Sequence, residues 1–345
     1  MMPKVGVVSS SSLTISTKSP FRSKLEEADM NSFMGMIEAQ WAQHKHVCVG
    51  LDPEVGKVPG DILGFDEPVA WVYRHMCEVV KNTAHVAAAY KPNTAFYESL
   101  GWQGVQMLEQ LIGYIKAEAP NVLVILDAKR GDIGNTNEHY AKMAFNYFGA
   151  DAITIHPYLG WQANKPFLDR TDKGVFVLCR TSNPGAGELQ DLPTNRGKVE
   201  SLYERIAKNV SSKDRWNYNG NCGLVTGGTY PGEIEQVRAI APDIPLLIPG
   251  IGKQGGDLEA SVTAAKHRFL INSSSGIIFA DDPRAEAEKL DREIREVLAQ
   301  LASNVRGRIV SAVEDFGRSG NVMNVVPFES DPAATSRLID GEGAE

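Results

Sequence analysis

The sequence predicts an α/β fold, a single (β/α)8 barrel with its functional groups on the C-terminal rim. Three observations carry this. Short apolar, β-branched runs recur eight times, helix-like stretches lie between them, and a polar or glycine residue stands at or just after the end of every run. The runs cover residues 46–51, 86–90, 122–126, 151–155, 174–179, 221–226, 244–248 and 268–272. Each is short enough for a strand and continuous enough to be buried on both faces, as strands of a parallel sheet are. Stretches at 66–83, 96–118, 136–147, 232–240 and 256–266 carry helical spacing between them, the alternation of a parallel α/β protein. Eight such units suggest closure.

In a closed barrel the residues that follow each strand line the C-terminal rim, where chemistry collects. Asp52 follows the first run and Lys91 the second, Asp127 and Lys129 the third, His156 the fourth and Ser182 the fifth. Thr226 ends the sixth, Gly250 follows the seventh, and Ser274 and Ser275 follow the eighth. A two-domain doubly wound protein gives no reason for a polar group at every strand end.

Composition fits this size and class. The chain has 345 residues, 43% of them hydrophobic and 23% charged, with a formal net charge of −8, enough apolar content for a sizeable core. An acidic balance excludes a general nucleic-acid binder, which needs a basic face, and no apolar run approaches the ~20 residues of a membrane span. Four scattered cysteines, Cys48, Cys77, Cys179 and Cys222, make no disulfide framework and read as thiols in a reducing compartment. His44 and His46 alternate without a third ligand nearby, so no metal is expected.

Residues 31–318 are assigned to the barrel, 1–30 to an N-terminal extension and 319–345 to a C-terminal tail. Residues 1–25 are basic, Ser-rich and free of acid before Glu26. That composition suits an organelle transit peptide, but a disordered extension or a misplaced start codon is the preferred reading. The expectation is a disordered extension ahead of a helix opening at Met30, in a cytoplasmic protein. The tail from about Glu329 is poor in apolar residues and is expected to be disordered.

The densest polar cluster is Asp127-Ala128-Lys129-Arg130-Gly131-Asp132-Ile133. Alternation in an extended segment puts Asp127 and Lys129 on one side. An Asp-x-Lys is ordinarily a structural ion pair. Here it sits at a strand's C-terminal end, with Asp132 three residues on and Lys91 at the end of the neighbouring strand. Alternating ammonium and carboxylate groups suit a site that stabilises a carbanion. The ammonium groups favour developing negative charge and one can deliver a proton, while the carboxylates hold the lysines charged and in place.

This cluster resembles the signature of the orotidine 5′-phosphate decarboxylase family, Asp127-x-Lys129-x-x-Asp132-Ile133-x-x-Thr136. The resemblance runs from about His46 to Ala280. It includes Val49-Gly50-Leu51-Asp52-Pro53, Lys91-Pro92-Asn93, Thr181-Ser182-Asn183-Pro184-Gly185 and the stretch from Pro249 to Asp257, in wording most like the longer bacterial branch. It implies a TIM barrel that converts orotidine 5′-monophosphate to UMP in de novo pyrimidine synthesis, with no metal or organic cofactor. Lys129 would stabilise and protonate C6 of the pyrimidine, and Asp127 would face the departing carboxylate. Lys91 would bind the ribose and Asp127, and Asp52 would accept from a ribose hydroxyl. Asp132, Ile133 and Thr136 match positions that reach into a partner's site, which implies a homodimer with shared active sites. Ser182 matches a residue on the pyrimidine, and Gln254 one that bridges pyrimidine and phosphate.

The segment Gly250-Ile251-Gly252-Lys253-Gln254-Gly255 also fits GxGxxG after a strand. A dinucleotide site fails on context, because no acid follows at about 20 residues. Glycine-rich amides cradling a phosphate are the expectation that survives. One departure stands out. The family usually carries an arginine on the substrate phosphate after the eighth strand, and here Ser275, next to Ser274, takes that place. Lys253 in the phosphate loop is the candidate compensating cation. A weakened enzyme that binds nucleotide with slow turnover, or a changed substrate, are the alternatives.

Two other functions compete. Relatives of the same barrel act on sugar phosphates, use Mg²⁺ and also carry Asp-x-Lys-x-x-Asp, so EDTA sensitivity separates them. A non-catalytic nucleotide-binding barrel has only Ser275 in its favour. The long loop from Thr181 to about Lys198 is read as a lid. His156 is read as a structural histidine, since rim position alone is weak evidence.

Overall fold

The computed structural model describes residues 32–58, 68–194, 200–252 and 255–318. The expected extension over 1–30, the tail over 319–345, and the site residues Lys253 and Gln254 lie outside the described residues. Eight parallel strands close into a barrel, each hydrogen-bonded to the next and β8 to β1. They are β1 (Val47–Leu51), β2 (Ala87–Pro92), β3 (Leu123–Arg130), β4 (Ala152–Ile155), β5 (Gly174–Arg180), β6 (Cys222–Thr226), β7 (Leu246–Pro249) and β8 (Phe269–Ser273). Every predicted strand is present within a few residues. No helix among the described residues is long and apolar enough to cross a membrane.

Strand alternation divides the core in two. Cys48, Ala89, Leu123, Ile125, Phe176, Leu247 and Leu270 fill the barrel interior. Val47, Val49, Val124, Leu126, Ile153 and Val175 face outward to the helices. The helix Phe33–Ala42, whose N-terminus is capped by Ser32 accepting from Gly35 N–H at 3.1 Å, plugs the N-terminal end. Phe33 packs edge-on to Phe176 at 5.6 Å between centroids. A Cβ on Gly174, the first residue of β5, would come within 2.4 Å of the Phe33 ring, so only glycine leaves room for the plug. Trp41 donates from Nε1 to Phe269 O at 2.9 Å and fixes the far end of that helix.

The same end of the barrel is tied by Arg238, which is 1% exposed. Its guanidinium donates to the carbonyl oxygens of Ala241, Pro242 and Ile244 ahead of β7, and of Ala265, His267 and Arg268 ahead of β8. Two helices end there, Pro231–Ile240 and Leu258–Ala265, so one cation meets carbonyls that no further helical turn can satisfy.

Two predicted helices differ in form. The stretch 96–118 is two helices, Thr94–Glu98 and Gly101–Glu118, because Gly101 at φ 72° turns the chain out of the helical region. The stretch 136–147 begins as α-helix (Gly134–Ala141) and finishes as a π-helical segment, Lys142–Tyr147. Beyond Asp282 the chain forms one long helix, Pro283–Arg318. The cysteines are free, as expected, and burial pushes the Cys48, Cys179 and Cys222 thiols up to about 12. Burial likewise pushes the His46 imidazole down to about 4, with Nδ1 donating to Phe269 O at 3.0 Å. Both groups are neutral packing elements.

Candidate active site

At the C-terminal end of the barrel lies a cavity of about 510 Å³, within the usual range for a small-molecule site. Asp52, Lys91, Asp127, Lys129, Ser182, Ser274 and Ser275 all line it. Residues from six of the eight expected strand ends, counting Gly250, thus meet around one space; Thr226 does not line it, and neither does His156. Its Nε2 donates to Gly131 O at 2.9 Å, and a Cβ on Gly131 would lie 2.4 Å from the ring. That is a packing role.

The floor is a row of charges. Lys91 Nζ donates to Asp127 Oδ2 at 2.8 Å, and Lys129 Nζ donates to Asp127 Oδ1 at 2.6 Å. The two lysines differ sharply in access: the Lys91 side chain is 5% exposed and that of Lys129 48%. Lys91 is the buried, fixed cation and Lys129 the more open one at the cavity. Burial alone would push the Asp127 carboxyl up, but the Lys91 and Lys129 ammonium groups outweigh it and hold the group well below the usual carboxylate range. For Lys91 burial pulls down, yet Asp127 and then Asp52 outweigh that and hold its ammonium above the usual lysine range. Asp52 Oδ1 is buried with no partner among the described residues, an acceptor left for a ligand donor.

Asp127 and Lys129 lie within β3 rather than beyond it. The β3–β4 ladder pairs Leu126 with Ile153 and then Arg130 with Ile155, a register shift that bulges the intervening residues. Lys129 occupies φ 46° there, a conformation that a non-glycine residue adopts only when its surroundings hold it. The bulge aims the side chain into the cavity.

Another part of the lining is Gly250, Ile251 and Gly252 after β7, with Ser273 at the end of β8 and Ser274, Ser275 and Gly276 after it. Gly250 and Gly252 have φ 95° and 82°, which favours glycine. A Cβ on Gly50 would lie 2.6 Å from that of Ser274, so β1 and the β8 end approach closely. Ser274 Oγ is buried without a partner among the described residues. Gly255 stands apart from the cavity, with its N–H donated to Gly252 O at 2.7 Å. Leu178, Val225 and Leu247 give the lining an apolar part.

Asp132, Ile133 and Thr136 do not line this cavity. Ile133 is 65% exposed, and Asp132 Oδ1 accepts from Ile133 N–H at 2.7 Å. Sequence reasoning passed over Thr154, Gln190 and Asn272, which do line it. The available signal was a lone threonine in an apolar strand, 152–155. Gln190 comes from the loop after β5, where it accepts from Thr181 N–H at 2.9 Å and donates to Thr181 Oγ1 at 2.9 Å. Arg180 holds that loop from below: it pairs with Asp191 at 3.1 Å and stacks 4.1 Å over the Tyr230 ring.

Known proteins resemble this chain in sequence and in fold. The family model described as "Orotidine 5′-phosphate decarboxylase / HUMPS family" matches residues 45–290. The orotidine 5′-phosphate decarboxylase of Janthinobacterium sp. (strain Marseille) is 41% identical over 283 residues, 81% of this chain and 98% of that protein. The enzyme of that name from Haloarcula marismortui is 50% identical over 244 residues, covering 69% of this chain and 83% of its own length. The solved structure of Leishmania donovani OMP decarboxylase superimposes with a TM-score of 0.67 at 39% identity, over 77% of this chain and 98% of that one. With the match spanning the whole barrel, from the strand that brings Asp52 to the one that brings Ser274, this chain belongs to the orotidine 5′-phosphate decarboxylase / HUMPS family.

Proposed function

We propose that this protein decarboxylates orotidine 5′-monophosphate to UMP, a step of pyrimidine synthesis, using only its own side chains. The observation that carries this is one buried carboxylate, Asp127, bearing an ammonium on each oxygen, Lys91 on Oδ2 and Lys129 on Oδ1. The substrate carboxylate is placed against Asp127 and C6 beside Lys129 Nζ. The C6–carboxylate bond breaks, CO₂ leaves, and the electron pair remains on C6. The Lys129 ammonium stabilises that pair by charge and then transfers a proton to C6, and water reprotonates the amine. Lys91, held charged by Asp127 and Asp52, orients the row and the ribose. Asp127 has both oxygens committed to lysines, which favours this reading over the Mg²⁺-dependent sugar-phosphate chemistry of the same barrel. The test is loss of orotidine 5′-monophosphate absorbance on adding protein, with and without EDTA. Turnover indifferent to EDTA is expected; turnover that EDTA abolishes, or none at all, sinks the reading.

The phosphate end is placed at Gly250–Gly252 and Ser274–Ser275, with Lys253 and Gln254 as further candidates, and the loop after β5 as the lid. Arginine binds phosphate through a charged fork, whereas serine offers one neutral hydroxyl. Ser275→Arg is therefore expected to raise kcat/KM by about one to two decades, the worth of a hydrogen bond to a charged group. An unchanged value would mean that another group, Lys253 foremost, already supplies the charge.

We also place Asp132, Ile133 and Thr136 in the site of a second copy. They stand outside their own cavity, and Trp102, Ile133 and Tyr158, exposed at 73%, 65% and 84%, follow β2, β3 and β4. If sites are shared, inactive Lys129→Ala and Asp132→Ala chains should complement on mixing. Random exchange leaves one complete site in each mixed dimer, so about one quarter of normal activity is expected. No recovery after verified exchange would assign Asp132 to its own subunit.

A further inference from the structure

We infer that Thr154 is a positioning residue for the decarboxylation, acting through both Asp127 and Lys129; this rests on the decarboxylase reading. Its hydroxyl is the point where two parts of the charge row are tied. Thr154 Oγ1 donates to Asp127 Oδ1 at 2.8 Å and accepts from the backbone N–H of Lys129 at 3.0 Å. The residue is 1% exposed and lines the cavity. A hydroxyl so deeply buried needs partners, and the two it bonds here both belong to the site.

The fold explains why the side chain is needed. The bulge in β3 carries Lys129 past β4 without a ladder partner, between the pairs Leu126–Ile153 and Arg130–Ile155. Its N–H finds the Thr154 side chain in place of a β4 carbonyl, at a main-chain φ of 46°. The proton of the same hydroxyl points to the carboxylate oxygen that also holds the Lys129 ammonium. One oxygen thereby sets the main chain of the proton donor and the rotation of the carboxylate that aims it. Valine has the same shape and neither hydrogen bond. With it, Asp127 Oδ1 is held by Lys129 alone, and the Lys129 N–H loses its acceptor, leaving only the flanking ladder pairs to hold the main chain in its unusual conformation.

The test compares Thr154→Val and Thr154→Ser with the wild type, with kcat expressed per UMP-binding site and melting measured on the same samples. Thr154→Val should lower kcat by about 10- to 100-fold, the penalty of a misplaced reacting group. KM for orotidine 5′-monophosphate and the dissociation constant of UMP should change by less than about threefold, and Thr154→Ser should restore kcat to within about threefold of wild type. The inference is overturned if Thr154→Val keeps kcat per binding site, or if it loses UMP affinity and kcat in parallel. Failure of Thr154→Ser to restore turnover also overturns it. A wild type without turnover on this substrate overturns the decarboxylase reading itself, an outcome distinct from normal wild-type turnover with an indifferent Thr154→Val.

Discussion

Lys129→Ala is expected to lower kcat/KM on orotidine 5′-monophosphate by at least about four orders of magnitude, because on the proposed mechanism one change removes both the proton donor and the positive charge beside C6. Its neighbour cannot take over. Lys91 is 5% exposed and donates to Asp127 Oδ2, whereas the Lys129 side chain is 48% exposed and reaches the cavity. The fold should survive, since Asp127 keeps Lys91 and Thr154 as partners. Retained UMP binding with abolished turnover is the measurement. Residual kcat above a tenth of wild type would remove Lys129 from the proton-transfer step. The pH dependence of the row follows from its direction of shift. Asp127 is held below the carboxylate range, so its stabilising contribution is present above its unfolded value and lost as pH falls through the folded one. Lys91 is held above the lysine range, so its contribution is present below its unfolded value and lost as pH rises through the folded one. Between about pH 5 and 9 both contributions are complete and neither group titrates. A rate limb inside that window therefore belongs to another group.

Arg238→Ala is expected to destabilise the fold by about 3–5 kcal/mol, the cost of stripping a buried charged donor from its acceptors. Arg238 is 1% exposed, and its guanidinium serves carbonyls ahead of both β7 and β8. Its loss leaves those oxygens buried without a donor and opens a space between two helix ends. Arg238→Lys should recover only part, since an ammonium has three donors and no fork. Denaturant unfolding of the purified variants measures this. A loss below about 1 kcal/mol for Arg238→Ala would mean that water replaces the guanidinium at no great cost.

Much of this molecule follows from local pattern. Continuous β-branched runs specify the strands, since a run buried on both faces needs no tertiary information to be recognised. Their number and the polar residues at their ends led to the closed barrel and its functional rim, and they placed Asp52, Lys91, Asp127, Lys129, Ser182, Ser274 and Ser275 around one cavity. What the spacing of Asp127 and Lys129 suggested, two side chains on one face, came about by another route. A bulge against β4 and a left-handed Lys129 create it, because register depends on how a strand meets its neighbour and not on its own residues. The same holds for Thr154, which reads as one more β-branched residue until closure brings its hydroxyl to Asp127. Arg238 reads as a helix-surface charge, yet it is buried because carbonyls about 30 residues away converge on it. The sequence by itself determined the barrel and the chemical inventory of its rim. Only the tertiary structure decided which lysine is presented and which is buried, since exposure and hydrogen bonding between distant residues exist only once the barrel has closed.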